Sequence, residues 1–392
     1  MRDITPEALS ALNGSRPADT LTINAWRDGE LIAASLPVQE WQISTDSTRQ
    51  VQTQVQVTFA DSNGTLAPWS VDDILGVAGT RLQMIYTIGG SNETVDIGWF
   101  RISAVEPVRN FRVITVNDGQ EIHWVSGGAS IPVSADDLTI NAVYSRLLAP
   151  ESPKAGATVL GEVRRLLADV CAVEVAAGVT DATVPTSVVY ERERMDAVED
   201  LLSRINCTHR MTGDGLFQVY PLAVSAPVWT IAPGPGGALV SVQTQQALDG
   251  LYNAVVSSGT TATGLPVSAV ATEAAGPLRW DGPHGRQPMF HSSPLITSAA
   301  LALKDAQTTL SNRIASRSVM LTVTCLPNPA LQVGDTVVVA QPLVGAEPFD
   351  LIGQVTSLSL RGSAEASTTS MTLNVVCDYR DLQIMAGVES RD

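Results

Sequence analysis

"YERERMDAVEDLLSRINCTHRMTGDGLFQVYP", residues Tyr190–Pro221, changes its hydrophobic period halfway along. Met195, Val198, Leu201, Leu202 and Ile205 recur at the three- and four-residue spacing of one helical face. After Cys207 the pattern shifts to that of a hairpin. Thr208–Met211 and Leu216–Tyr220 flank the turn signal Thr212-Gly213-Asp214-Gly215. Glu191, Arg192, Glu193 and Arg194 alternate just ahead of the helix, the pattern of a solvated edge with local ion pairs. Asp196, Glu199 and Asp200 near the helix start favour its macrodipole. Each of these features is accounted for as scaffold, so the stretch reads as a helix–hairpin unit of a mixed α/β domain.

Toward the N-terminus the period is two. "DTLTINAWRDGELIAA" alternates, turns at Arg27-Asp28-Gly29 and resumes. "VQTQVQVTF" places Val51, Val55 and Val57 on one face, and "RLQMIYTI", "GWFRISAVEPV" and "FRVITVND" continue the pattern. Asn63-Gly64, Gly89-Gly90 and Asp118-Gly119 mark turns between them. Residues 1–127 are therefore predicted to form a β-barrel-like or sandwich-like domain. It opens with a short helix capped by Thr5 and Pro6 that ends at Asn13-Gly14.

Residues 128–226 contain none of the seven Trp and carry a second helical stripe at Val159, Val163, Leu166, Leu167 and Val170. This α/β domain is predicted to hold helices near 158–172 and 195–206. "IAPGPGG" at 231–237 reads as a linker or long turn into a C-terminal β-rich domain, residues 227–392. Its predicted strands are "ALVSVQ", "LYNAVVSSG", two within "VMLTVTCLPNPALQVGDTVVVA", and the pair "FDLIGQVTSLSLRG" and "TSMTLNVVCDY". "TTATGLPVSAVATEAAGP" reads as a loop, and Leu303, Ala306, Leu310 and Ile314 predict a long helix near 297–316.

Composition narrows the function. Net charge is −16, and the three blocks carry −7, −5 and −4. No block has the basic surplus needed to neutralise phosphates, so nucleic-acid gripping is excluded over most of the surface. Cys171, Cys207, Cys325 and Cys377 are far apart and lie in apolar elements, as buried free thiols do in a reducing compartment. "MRDITPEALSALNGS" lacks the apolar core of a signal peptide, and no apolar run is long enough to span a membrane, so no membrane anchor is expected. Without a secretion signal, the Asn-x-Ser/Thr triplets at Asn13, Asn63, Asn92 and Asn206 read as chance matches.

His123, His209, His284 and His291 occur in no HExxH, and no GxSxG is present. Cys207 and His209 share a strand face but lack further ligands nearby. "DSNGTLAPWSVD", Asp61–Asp72, echoes a calcium loop, yet its Gly64 is at the fourth position and no Glu closes it, so a hairpin turn is expected. Pro within "APGPGG" removes amide donors that a phosphate cradle requires. The expectation is no enzyme activity, no cofactor, no metal and no catalytic residue.

In this order of elements the chain resembles the tail-hub (baseplate-hub) minor tail proteins of long-tailed bacteriophages, notably those infecting actinobacteria. Tyr190–Pro221, "LDGLYNAVVSSG" at 248–259 and Gly282–Val339, with "GPHGRQPMF" and "LPNPALQVGDTVVV", carry the likeness, which extends over most of the chain. The first 125 residues share it as a β domain. The resemblance implies a mainly β fold with α+β character, in which two β-barrel-like modules of the tail-tube type, built from discontinuous segments, are joined by the α/β domain. It further implies a homotrimeric tail-tip hub of the virion, made in the host cytoplasm. Such a hub caps the tail tube, encloses a channel for viral DNA without binding it specifically, and has the tail tube or distal tail protein, the tape measure protein and tail-tip spike or fibre proteins as neighbours. The alternative is a receptor- or glycan-binding tail protein using Trp229 or Trp280 as an aromatic platform; a cell-wall hydrolase would need a carboxylate pair or metal triad that the motifs do not supply.

Overall fold

The computed structural model describes residues 1–13, 18–116, 121–186, 188–222, 225–245, 251–261, 263–292, 296–315, 318–341, 349–364 and 370–378. The turn at Asp118-Gly119, the helix end at Asn13-Gly14 beyond Asn13, and Leu248–Gly250 lie outside them. The chain divides into two compact units, one of residues 1–242 with 322–375 and one of residues 243–321 with 376–392.

The first unit opens with α1 (Pro6–Leu12), where Thr5 Oγ1 accepts the Ala8 amide hydrogen bond and Pro occupies the first turn. Eight strands follow: β1 (Thr20–Arg27), β2 (Glu30–Ala33), β3 (Val38–Asp46), β4 (Thr53–Asp61), β5 (Arg81–Thr87), β6 (Thr94–Val105), β7 (Val108–Val116) and β8 (Glu121–Asp137). Asp28 and Gly29 turn β1 into β2 with φ of 49° and 81°, as a two-residue hairpin loop requires. In β4 the alternation buries Val55, Val57 and Phe59, and β5 buries Leu82, Met84 and Tyr86.

The middle segment holds α2 (Thr139–Tyr144), α3 (Val159–Leu167), β9 (Val173–Val175), α4 (Arg194–Arg204), β10 (Cys207–Met211) and β11 (Phe217–Pro221). β10 and β11 form the antiparallel hairpin, and β9 joins β11 in parallel. Val163, Leu166 and Leu167 of α3 and Met195, Val198, Leu201 and Leu202 of α4 bury their stripes in one core with Phe217 and Val219. Then come β12 (Trp229–Ile231) and β13 (Leu239–Gln245).

The second unit is a small sheet under a helix: β14 (Ala254–Thr260), β15 (Pro266–Thr272), β16 (Pro288–Ser292) and α5 (Ala299–Ala315). β14 is central, antiparallel to β15 and parallel to β16. Ala306 and Leu310 of α5 pack on Val255 and Ala271. β15 lies inside the stretch read as a loop. Its residues are small and half-exposed, so they give little hydrophobic signal, and pairing with β14 along Ala254↔Thr272 to Thr260↔Pro266 makes the strand.

β17 (Ser318–Cys325), β18 (Thr336–Gln341), β19 (Phe349–Ser363) and β20 (Ser370–Asp378) return to the first unit's sheet. Among the described residues that sheet has fourteen strands, with the order β13-β17-β20-β19-β3-β4-β8-β6-β5-β1-β2 along its main path. The N-terminal and C-terminal strand sets are zipped together by the antiparallel pair β19–β3, from Ser357↔Asp46 to Ser363↔Glu40. The fold is thus mainly β around one large, predominantly antiparallel sheet with an α/β segment.

The linear block boundaries read from sequence meet two facts. β8 runs through residue 127, because Gly127-Gly128 is a kink within the strand and not its end. A Cβ at Gly128 would come 2.9 Å from the Asp61 carbonyl. The stretch 227–392 is divided between the two units, with 243–321 apart from the strands on either side.

Candidate functional site: a polar joint and an exposed ribbon

Tyr190–Pro221 sits where three segments of the first unit meet. Arg194, at the start of α4, is buried. Its guanidinium donates to the Leu166 carbonyl at 2.9 Å and to both Asp169 carboxylate oxygens, tying α4 to the end of α3. His209 on β10 stacks on Phe217 at 4.8 Å between ring centroids, and its Nε2 donates to the Gln50 carbonyl at 3.1 Å. Gln52 Nε2 returns a bond to the His209 carbonyl at 2.7 Å. Burial drives the His209 pKa down to about 4, outweighing the Gln50 bond, so the ring is neutral at physiological pH. Arg210 reaches the Val333 carbonyl at 3.1 Å and lies 4.8 Å over the Tyr220 ring, while Gly334 packs edge-on against that ring. The helix–hairpin unit is therefore pinned to β4's approach on one side and to the loop before β18 on the other.

The candidate chemical residues Cys207, His209, Asp61 and Ser257 have hydrogen-bond partners within the fold. Cys207 and His209 are both buried on one strand face, with Cys207 Sγ bonded to the Ile205 carbonyl. Burial raises the thiols, to about 12 at Cys325 and about 11 at Cys171, so neither is a ready thiolate. Among the described residues no cluster of three His, Cys, Asp or Glu has metal-holding geometry. Asp61 is not a hairpin turn residue of the simple kind expected. Its two carboxylate oxygens accept the amides of Gly64, Thr65, Leu66 and Ala67 at 2.8–3.1 Å. Burial pushes this carboxyl up, and the four amides more than reverse it, lowering its pKa. The oxygens a cation would need are engaged. In the second unit Ser257 Oγ donates to Asp305 at 2.6 Å and His291 lies 3.7 Å from the same carboxylate. The acid is central and Ser257 is buried, the reverse of a nucleophile activated by His.

Trp229 is buried and donates to Asn13 Oδ1 at 3.2 Å, and Trp280 lies 5.4 Å from the Arg286 guanidinium. The exposed aromatics are elsewhere. β4 pairs β8 from Ala129 onward and β6 pairs it from Val133, so among the described residues 121–128 of β8 have β7 alone as partner. This two-stranded ribbon is amphipathic. One face carries Phe111, Val113, Ile122 and Trp124, 62%, 48%, 67% and 73% exposed, and the other carries Arg112, Ile114 and His123. Near its base the exposed Trp69 stacks under Arg109, at 3.7 Å. Alternation in "FRVITVND" signalled a strand, but exposure could not be read from it, since a strand with one apolar face normally buries that face. A second surface is a groove of about 690 Å³ beside α4, lined by Leu148, Val189 and Tyr190 and by charges of both signs, Glu191 and Asp200 with Arg192 and Arg204. Leu148 is fully exposed there.

No protein-family model matches the chain, and no curated protein matches it. Solved structures do. The fold matches a tail protein from Neisseria meningitidis MC58 with a TM-score of 0.56 at 14% identity, covering 91% of this chain and 96% of that one. It matches a 43 kDa tail protein of prophage MuSo2 from Shewanella oneidensis with a TM-score of 0.57 at 12% identity, covering 91% and 98%. A chain of the Francisella PdpA-VgrG complex matches with a TM-score of 0.57 at 11% identity, covering 94% of this chain and 59% of that chain. At these identities the likeness is one of fold.

Proposed function

We infer that this chain is a structural tail protein of a bacteriophage or prophage and, more specifically, the hub at the tail tip of a long-tailed phage of the type that infects actinobacteria. The observation that carries the reading is the match over nine-tenths of this chain and nearly all of two tail proteins. The two strand sets joined at β19–β3 support it: one chain supplies two β modules side by side, as a component needs when it fits three copies onto a sixfold tube.

In this role three copies cap the tail tube around a channel, with the tube or distal tail protein on one side and spike or fibre proteins on the other. The tape measure protein and viral DNA pass through without specific recognition. The chemistry agrees. Net charge of −16 repels phosphates, and the guanidinium groups of Arg2, Arg194 and Arg210 are spent on backbone carbonyls and on Asp169 inside the fold. The work is done by assembly, without catalytic turnover. Electron micrographs of intact tails labelled with antibody to this chain test the placement. Label confined to the tail tip supports it, and label along the tube or on the capsid refutes it.

A further inference from the structure

We propose that a cleft over the β1–β5–β6 face binds an acidic saccharide, a chain of pyranose rings carrying carboxylate or phosphate groups. The proposal goes beyond the hub reading and does not depend on it.

Strand register builds the floor. Trp26 pairs with Arg81, and Arg81 with Arg101; one row on, Asn24 pairs with Gln83, and Gln83 with Trp99. Ala25, Leu82 and Phe100, which alternate with them, are buried, so these six side chains share the opposite face of the sheet. Leu138 and Asn141 at the start of α2 make one wall, and Asp214 and Gly215 of the β10–β11 turn make another. The cleft between them measures about 760 Å³, within the range of small-molecule sites.

Two features mark it as a site. The first is an aromatic pair held in place. Trp26 and Trp99 meet edge to face with centroids 5.6 Å apart, and both stay partly exposed. Trp26 Nε1 donates to Gln83 Oε1 at 3.0 Å, which fixes the ring. Gly215 leaves room for the other indole, since a Cβ there would lie 3.5 Å from Trp99 Cδ1 and 3.2 Å from Leu138 Cδ1.

The second feature is charge. Arg81 and Arg101 stand directly opposite each other on antiparallel strands, which costs stability unless an anion lies between them. A broken pairing rule of this kind is what a functional site retains. Arg101 bonds a neutral group, Asn141 Oδ1 at 2.8 Å, and the exposed Arg81 has no side-chain partner among the described residues. Arg27 also lines the cleft but is committed to the Asp72 and Asp73 carbonyls and to Thr80. Asp28 and Asp214 complete its charged lining, so three arginines face two carboxylates in a chain of net charge −16. The occupant follows from this mixture. Indole rings pack on the C–H face of a pyranose, the opposed arginines take its anionic group in charge-assisted hydrogen bonds, and the two carboxylates accept from its hydroxyls. A nucleic-acid strand fits less well, because those carboxylates and the chain as a whole repel successive phosphates.

Isothermal titration calorimetry on the full chain tests this, with trigalacturonate as the carboxylate probe, phosphorylated maltotriose as the phosphate probe and maltotriose as the neutral one. At least one acidic probe should bind saturably and about 10-fold more tightly than maltotriose, and the one that binds identifies the anion. Arg81→Gln, at an exposed side chain, should remove that advantage. Arg112→Gln makes the same charge change on the β7–β8 ribbon and should leave it intact. Trp26→Ala, once circular dichroism shows it folded, should weaken binding roughly 10-fold; if it does not fold, Arg81→Gln decides alone. Binding of neither acidic probe, equal affinity of Arg81→Gln and wild type, or an equal loss in Arg112→Gln would overturn the proposal. So would Arg81-dependent binding of a thymidine oligonucleotide in preference to both acidic saccharides.

Discussion

His209 makes the joint sensitive to acid. Its folded pKa is depressed to about 4 from an ordinary 6.5, so the unfolded chain takes up its proton first as pH falls. Its contribution is present above about pH 6.5 and is lost on the way down to about 4, a difference of about 3 kcal/mol. Buried Asp137 acts with the opposite sign. Desolvation raises its pKa, so its contribution is present below the ordinary carboxylate range and lost as pH rises through the raised value. Urea titrations at a series of pH values should show His209→Gln losing markedly less stability than wild type between pH 6.5 and 4; parallel curves would mean that His209 does not titrate as described. Gly334 offers a steric test. A Cβ there would lie 2.5 Å from Tyr220 Cε2 at φ of 85°, so Gly334→Ala should cost more than about 2 kcal/mol. Gly29, with similar φ of 81° and open space, should cost about 1 kcal/mol when changed to Ala. Equal costs would contradict the packing. Gly29 was legible as a turn residue, whereas the contact of Gly334 with Tyr220 was not. Cys207 and His209 were visible as one strand face, but their partners Gln50 and Gln52 lie over 150 positions away along the chain.

The elements show where sequence pattern is strong. α4 was readable from Met195, Val198, Leu201 and Leu202 because both its burial and its spacing come from one core, and α5 from Ala306 and Leu310 for the same reason. α2, β9 and β12 were missed: each is six residues or fewer, too short for a period to register. Arg194 was read as part of an exposed alternation, yet it is buried, because its charge is answered by Asp169 and the Leu166 carbonyl, groups outside the local stretch. Arg194→Ala should lower stability by about 3 kcal/mol, since it strands a carbonyl and opens the α3–α4 contact. Asp169→Ala, which removes the largely solvated partner, should cost less. Thermal or urea unfolding of the two variants checks the order, and a larger loss at Asp169 would reverse the assignment.

At the scale of the molecule the sequence carried the fold class, because periods of two and of three to four survive in a single chain. It did not carry the division into 243–321 and its flanks, because the strands that return after the helix are paired by long-range hydrogen bonds with no local signature. It also carried no catalytic or metal constellation; Asp61, Cys207, His209 and Ser257 each have a hydrogen-bond partner within the fold. Metal analysis of the purified chain should find well under one zinc per molecule, and peptidoglycan zymography should show no clearing. A stoichiometric metal or a lytic zone would require a different account. The hub reading itself is a claim about position and number. The measurement that tests it most directly is a reconstruction of the assembled tail tip without imposed threefold symmetry. The account predicts three copies of this chain on the tail axis, each contributing two β modules around the channel. Six copies, or density for this chain in a fibre away from the axis, would contradict it.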